Sequence, residues 1–308
     1  MDKMLHLSVS PHTHCGRSTS SIMLDVIIAL LPATIAGVVI FGLNALLVVA
    51  VCVAACVGFE YLFNLIAKKE QTIGDYSAIV TGLLLGLNLP ATTPIWQCVI
   101  GALFAIVVVK CLFGGLGYNF VNPAITARVL MLVSFASVAA PAFPAGVDAA
   151  AGATPLVQLA NGESVDLLTL LLGNHGGSVG ETCAIALILG FLYLLARDVI
   201  SWEIPVSFIG SVFVFSFLME GDAMKALALT LSGGLLLGAV FMATDYVTSP
   251  TTPAGKLIFG LGCGLLTFLI RYFGSYPEGV SFAILIMNLV VPYIDKLTKH
   301  RIYGGKKA

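Results

Sequence analysis

Ten apolar runs govern what this chain can fold into. They fall at 22–43, 45–66, 76–89, 95–113, 120–138, 181–198, 204–219, 224–243, 255–273 and 279–296. Most are close to the roughly 20 residues a helix needs to cross a bilayer. In hydrocarbon every backbone N–H and C=O must be satisfied inside the protein, so runs of this kind fold as helices. Composition points the same way: 58% of the 308 residues are hydrophobic and 10% are charged, against about 25% charged in a soluble domain. The predicted fold class is therefore all-α integral membrane, with about ten transmembrane helices. Lys+Arg 15 against Asp+Glu 16 argues against a binder of nucleic acid that works by neutralising phosphates. Membrane lipid is the expected surrounding.

The third run is short, since 14 residues rising 1.5 Å each cover only about 21 Å. It ends at Asn88-Leu89-Pro90, which predicts a helix broken partway through the membrane. The first run starts at Ile22 after a polar tail and reads as a span rather than a cleaved leader. Between Val138 and Gly180 there is no Lys or Arg. Placing that loop outside puts twelve basic residues at or near the inner face and two, Lys225 and Arg271, outside, with Arg128 within a span. Such a bias predicts cytoplasmic termini.

A repeat is also readable. Gly82-Leu83-Leu84-Leu85-Gly86 recurs as Gly234-Leu235-Leu236-Leu237-Gly238, and Ala91-Thr92 as Ala243-Thr244 at the same offset. Five spans in each half would invert the second half relative to the first, an arrangement that puts sites on broken helices near the midplane. The expected organisation is a tail (1–21), a first five-helix repeat (22–138), an extracytoplasmic loop (139–180), a second repeat (181–296) and a tail (297–308). Small residues four apart in GLLLG let helices approach closely.

Seven cysteines occur without a CxxC, five or six of them in apolar stretches, which reads as packing rather than iron–sulfur or zinc ligation. His12-Thr13-His14-Cys15 has no further ligands nearby in sequence, so no metal site is expected. Three other places carry chemistry. Thr154, followed by Pro155 and preceded by the small residues of 149–153, is an unhindered hydroxyl in the long loop, or part of an ordinary Ala/Gly connection. Asn119 and Asn122, after a glycine run, could face the polar edge of a planar heterocycle, or simply cap a helix. The carboxylates Asp25, Glu60, Asp245, Glu278 and Asp295 lie at membrane depth or its edge. Groups there are costly and often line ion or proton paths, though some can be interfacial. Hydroxyls at Thr248, Ser249, Thr251 and Thr252 are suitable oxygen ligands for a hard cation near Asp245.

Several motifs together resemble one family along the whole chain. They are Ser10-Pro11-His12, Ser18-Thr19-Ser20-Ser21-Ile22-Met23-Leu24-Asp25-Val26, GGLGYNFVNPA (114–124), AGATPL (151–156), MATDYVTSPTTPAGK (242–256) and YPEGVSFAILIMN (276–288). The sequence resembles the NqrB/RnfD family, whose members are membrane components of the Rnf complex and of the Na⁺-pumping NADH:quinone oxidoreductase. The resemblance implies a urea-channel-like fold in a bacterial inner membrane. It also implies FMN esterified through its phosphate to Thr154 by a separate flavin transferase, with Asp148, Gly152 and Ala153 in the same motif, and a non-covalent riboflavin placed at Asn119 and Asn122. Ala151 departs from the Ser or Thr usual there.

The implied activity is that of a membrane component of an ion-translocating ferredoxin:NAD⁺ oxidoreductase, coupled to Na⁺ or H⁺ and inactive alone. Asp25, Glu60, Asp245 and Glu278 are its candidates for the ion path. No GxGxxG follows a strand, so nicotinamide falls to a partner. Implied partners are a second FMN-carrying subunit, a membrane iron–sulfur pair, and NADH- and ferredoxin-reactive subunits. The alternatives are a quinone-reducing subunit and a flavin-free channel for small solutes on the same scaffold.

Overall fold

The computed structural model of the chain describes residues 17–144, 153–274 and 278–299. The first two apolar runs become α1 (Thr19–Phe41) and α2 (Leu43–Ile66), joined through Gly42 alone. Ser18 starts α1, its hydroxyl accepting from the Ser21 N–H at 3.2 Å, as a serine N-cap does. There follow α3 (Ser77–Leu87), α4 (Ile95–Cys111), α5 (Pro123–Ser134) and a single turn, α6 (Ala136–Ala139). Two small helices, α7 (Pro155–Ala160) and α8 (Leu167–Leu172), precede α9 (Ala184–Ala196) and α10 (Glu203–Glu220). The chain closes with α11 (Ala223–Leu231), α12 (Leu235–Met242), α13 (Pro253–Phe273) and α14 (Val280–Leu297).

This is an all-α membrane protein. Among the described residues, α1, α2, α10, α13 and α14 are each long and apolar enough to cross a bilayer. Together α11 and α12 are long and apolar enough for a sixth but bend by 65° at their junction, and α3, α4, α5 and α9 are apolar but shorter. These ten segments fall on the ten apolar runs. Their outer faces remain apolar: Val39 is 79% exposed and Ile66 81%, and so large an apolar surface calls for lipid or a partner chain.

The expected break after α3 is present. Its last carbonyls are met from outside the helix, the Gly180 N–H donating to Leu87 O at 2.7 Å and the Val179 N–H to Leu89 O at 3.1 Å. In the second half the break lies at Ser232–Gly234, upstream of Asp245. The Arg271 guanidinium donates there to Leu229 O at 2.7 Å and to Ser232 O at 3.0 Å. Both breaks thus have their carbonyls satisfied by protein, as an apolar surrounding demands. Two helices carry wider turns. Leu112 N–H reaches Val107 O at the end of α4, and Ala243 N–H reaches Gly238 O at the end of α12, each to the fifth residue back, a geometry often found beside functional groups.

The two GLLLG copies do different work. At Gly82 and Gly86 a Cβ would lie 2.6 and 2.8 Å from the Cα atoms of Val53 and Val49, so α3 rests directly on the α2 backbone. Gly234 instead faces the Glu181 carboxylate. α10 and α13 approach closely at Gly260 and again at Gly264, where a Cβ would collide with Ser211 Oγ and lie 3.0 Å from Phe208 O. Gly264→Ala is therefore expected to destabilise by about 1–3 kcal/mol, and Ser211→Ala in the same chain to recover part of that. Thermal unfolding of the detergent-solubilised protein measures both.

Candidate functional site

α1 defines two ends of the molecule. Near its start, Asp25 is gripped from α9 by Arg197, Nε to Oδ1 3.3 Å, and by the Tyr193 hydroxyl at 2.9 Å. At its other end Ile40 lies beside Gly173, in the connection leading to α9. A crevice opens at each end.

The crevice at the Phe41 end has a volume of about 240 Å³. Pro90, Leu132, Val138 and Leu156 supply its apolar wall, and Thr154, His175, Glu181 and Glu278 its polar groups. Thr154 is extended (φ −62°, ψ 153°) because Pro155 follows. It caps α7 weakly, its Oγ1 accepting from the Val157 N–H at 3.4 Å, so the half-buried hydroxyl is only loosely engaged. Ala153 lines the same wall. Asp148 and Gly152 lie outside the described residues.

A charged cluster forms the inner side of this crevice. Arg128 on α5 is 2% exposed. It donates from Nη2 to Glu181 at 3.1 Å and to Glu278, and from Nη1 to Ser178 Oγ at 3.3 Å. His175 Nδ1 meets Gly176 O at 3.1 Å, while its Nε2 is buried without a well-formed hydrogen bond. Burial pushes the imidazole below its ordinary pKa.

The crevice at the other end is smaller, about 100 Å³. It brings together Asn119, Asn122, Asp245 and Lys110, with Val26, Leu84 and Phe241 as apolar wall. Asn122 is first of all a helix cap: Oδ1 accepts from the N–H groups of Ala124 (3.0 Å) and Ile125 (3.2 Å). Its Nδ2 donates to Met242 O at 3.2 Å, tying α5 to the end of α12. Asn119 donates to Val121 O at 3.0 Å. The two amides thus serve the backbone while also lining the crevice. Asp245 accepts from Thr248 Oγ1 at 3.0 Å.

The carboxylates separate by their partners. Glu60 is buried against Lys110 (2.7 Å), whose ammonium also donates to Ser77 Oγ at 2.6 Å, and Thr72 donates to the other Glu60 oxygen at 2.5 Å. Lys110, at 3% exposure, is thus a buried counter-ion and not a charge at the membrane face. Removing it and the helix-capping Arg271 from the sequence count leaves eleven basic residues against one. Asp25 and Glu278 are likewise ion-paired, whereas Asp245 has no salt-bridge partner among the described residues. Asp295 accepts from the Thr251 N–H at 3.1 Å and is a loop clasp. Sequence reasoning passed over Glu181, His175 and the pairing role of Arg128. A lone arginine in an apolar run was the available signal, because such a charge requires a buried counter-ion.

Residues 6–304 match the NQR2, RnfD, RnfE family. The chain belongs to that family. It is 46% identical to the D subunit of the Na⁺-translocating ferredoxin:NAD⁺ oxidoreductase complex of Acetobacterium woodii, over 98% of this chain and 96% of the relative. It is 41% identical to the D subunit of the proton-translocating ferredoxin:NAD⁺ oxidoreductase complex of Clostridium ljungdahlii, with the same coverage. The D subunit of the ion-translocating oxidoreductase complex of Aeromonas salmonicida is 35% identical, over 99% of this chain and all of that one. The first two names differ in the ion, so family membership alone does not fix it.

Proposed function

We propose that this chain is the membrane-embedded D subunit of an ion-translocating ferredoxin:NAD⁺ oxidoreductase, carrying FMN on Thr154 and a second flavin, riboflavin, in the opposite crevice. The observation that carries the reading is the family match over residues 6–304 together with a half-buried, weakly engaged threonine hydroxyl that opens on an apolar-walled crevice. The residues fit the group: apolar walls at Leu132, Val138 and Leu156 suit a planar ring system, and the His175 imidazole on the same wall suits a polar substituent. In the other crevice, Val26, Leu84 and Phe241 offer a comparable wall, with Asn119 and Asp245 at its polar edge. Bound flavins would supply the one- and two-electron chemistry, and the protein sets their position and electrostatics.

The remaining subunits of the complex would supply the ferredoxin- and NADH-reactive centres, and a flavin transferase would load Thr154. Basic side chains collected at the Asp25 end (Lys68, Lys69, Arg197, Lys256) favour that end as cytoplasmic, with Thr154 outside, in the inner membrane of a bacterium. The 152-residue offset carries α1 to α5 onto α9, α10, α11–α12, α13 and α14 in order, which supports two inverted five-helix repeats.

The deciding experiment is co-expression with a flavin transferase. The band should fluoresce under ultraviolet light in a denaturing gel, and mass spectrometry should place FMN on the peptide containing Thr154. A chain of unmodified mass would sink the flavin reading and favour a solute channel. For ion coupling, Asp245 is the candidate that no cation neutralises. Asp245→Asn is expected to raise the Na⁺ or H⁺ concentration needed for half-maximal electron transfer roughly tenfold, about 1.4 kcal/mol. An unchanged ion dependence in the purified complex removes Asp245 from the path.

A further inference from the structure

The wall of the Thr154 crevice contains three titratable side chains, His175, Glu181 and Glu278. Two of them are carboxylates, which repel an anion. Ser178 is engaged by Arg128, and Arg128 itself spends its Nη groups on Ser178, Glu181 and Glu278. His175 is thus the one group on that wall, among the described residues, able to carry positive charge. Its Nδ1 must hold a hydrogen, because its partner is the Gly176 carbonyl. That leaves Nε2, buried and without a well-formed hydrogen bond, as the nitrogen available to a group in the crevice, with the Thr182 backbone also favouring the protonated ring.

We propose that His175 is a positioning residue for the group carried on Thr154: its Nε2 hydrogen-bonds a phosphate oxygen and holds the attached flavin within the crevice. This rests on the flavin reading above. A phosphodiester bears one negative charge, and a nearby opposite charge favours the protonated ring. Glu181 and Glu278 line the same wall and are held by Arg128, with Arg271 feeling both carboxylates; burial of the ring opposes its protonation, and the backbone at Gly176 and Thr182 favours it. The imidazolium then donates from both nitrogens, to Gly176 O and to the phosphate, in a charge-assisted bond. No covalent bond is made or broken by His175.

The test uses the full chain after co-expression with a flavin transferase, with Thr154→Ala as blank, and reads collisional quenching of flavin fluorescence by acrylamide, a neutral probe. Quenching should be weak in the unmodified chain, several-fold stronger in His175→Ala and weak again in His175→Lys. It should also strengthen as pH rises through the imidazolium titration, in the unmodified chain but not in His175→Lys. Equal quenching in all three chains, or protection that ignores pH, overturns the proposal. So does a His175→Ala chain that takes no flavin, because attachment rather than positioning would then need the ring. A fluorescent Thr154→Ala band, or an unmodified chain with no flavin, instead overturns the flavin reading itself, and the denaturing gel separates that failure from the others.

Discussion

Thr154→Ala, introduced into the assembled complex, is expected to abolish the covalent fluorescence of this polypeptide and to stop ferredoxin-dependent NAD⁺ reduction. The substitution removes a single hydroxyl. Its structural role is slight, since the bond it accepts from the Val157 N–H is 3.4 Å long, at the loose limit of hydrogen-bond geometry. Losing an N-cap costs typically about 1 kcal/mol, and here the helix it caps is only six residues long. The chain should fold, insert and assemble, so activity and assembly come apart. Thr154→Ser keeps the oxygen and should restore both flavin and turnover in part. An alanine variant that assembles and still transfers electrons at the normal rate would show that the crevice at this end lies off the electron path.

Much of the fold was legible because apolar runs of bilayer length leave the backbone few choices. The break after α3 was readable from Asn88-Leu89-Pro90. The break before α12 was not: its sequence, Ser232-Gly233-Gly234, sits inside a run of ordinary span length, and the bend is held by Arg271 reaching from α13. The candidate sites were legible as motifs but not as neighbourhoods. Asn119 and Asn122 share a crevice with Asp245, which lies more than 120 residues away in sequence, and nothing local joins them. Asn122 also combines two roles, and the bland one, capping α5, accounts for its oxygen completely. Pairings were the least legible feature. Lys110 looks like an interfacial charge until α4's wide turn brings it to Glu60, and Glu181 and Glu278 converge on Arg128 from segments nearly a hundred residues apart.

Those pairings also say where the molecule is most vulnerable. Arg128→Leu would leave Glu181, 3% exposed, with no direct counter-ion, and would free Glu278 and Ser178 as well. Breaking a buried ion pair by removing one partner costs about 3–5 kcal/mol, mostly as the penalty of the stranded charge. The expected result is a large fall in thermal stability of the purified protein, or its loss from the membrane. Arg128→Lys keeps the charge but cannot span Ser178, Glu181 and Glu278 with one fork, so it should fall between. The informative chain is Arg128→Leu with Glu181→Gln, which removes the stranded carboxylate together with its partner. If the cost lies in the uncompensated charge, the double variant is more stable than Arg128→Leu alone, and the coupling follows from a double-mutant cycle. If the two losses simply add, the arginine works mainly by packing α5 against the segments before α9 and α14. The crevice would then keep its shape for reasons unrelated to its charges.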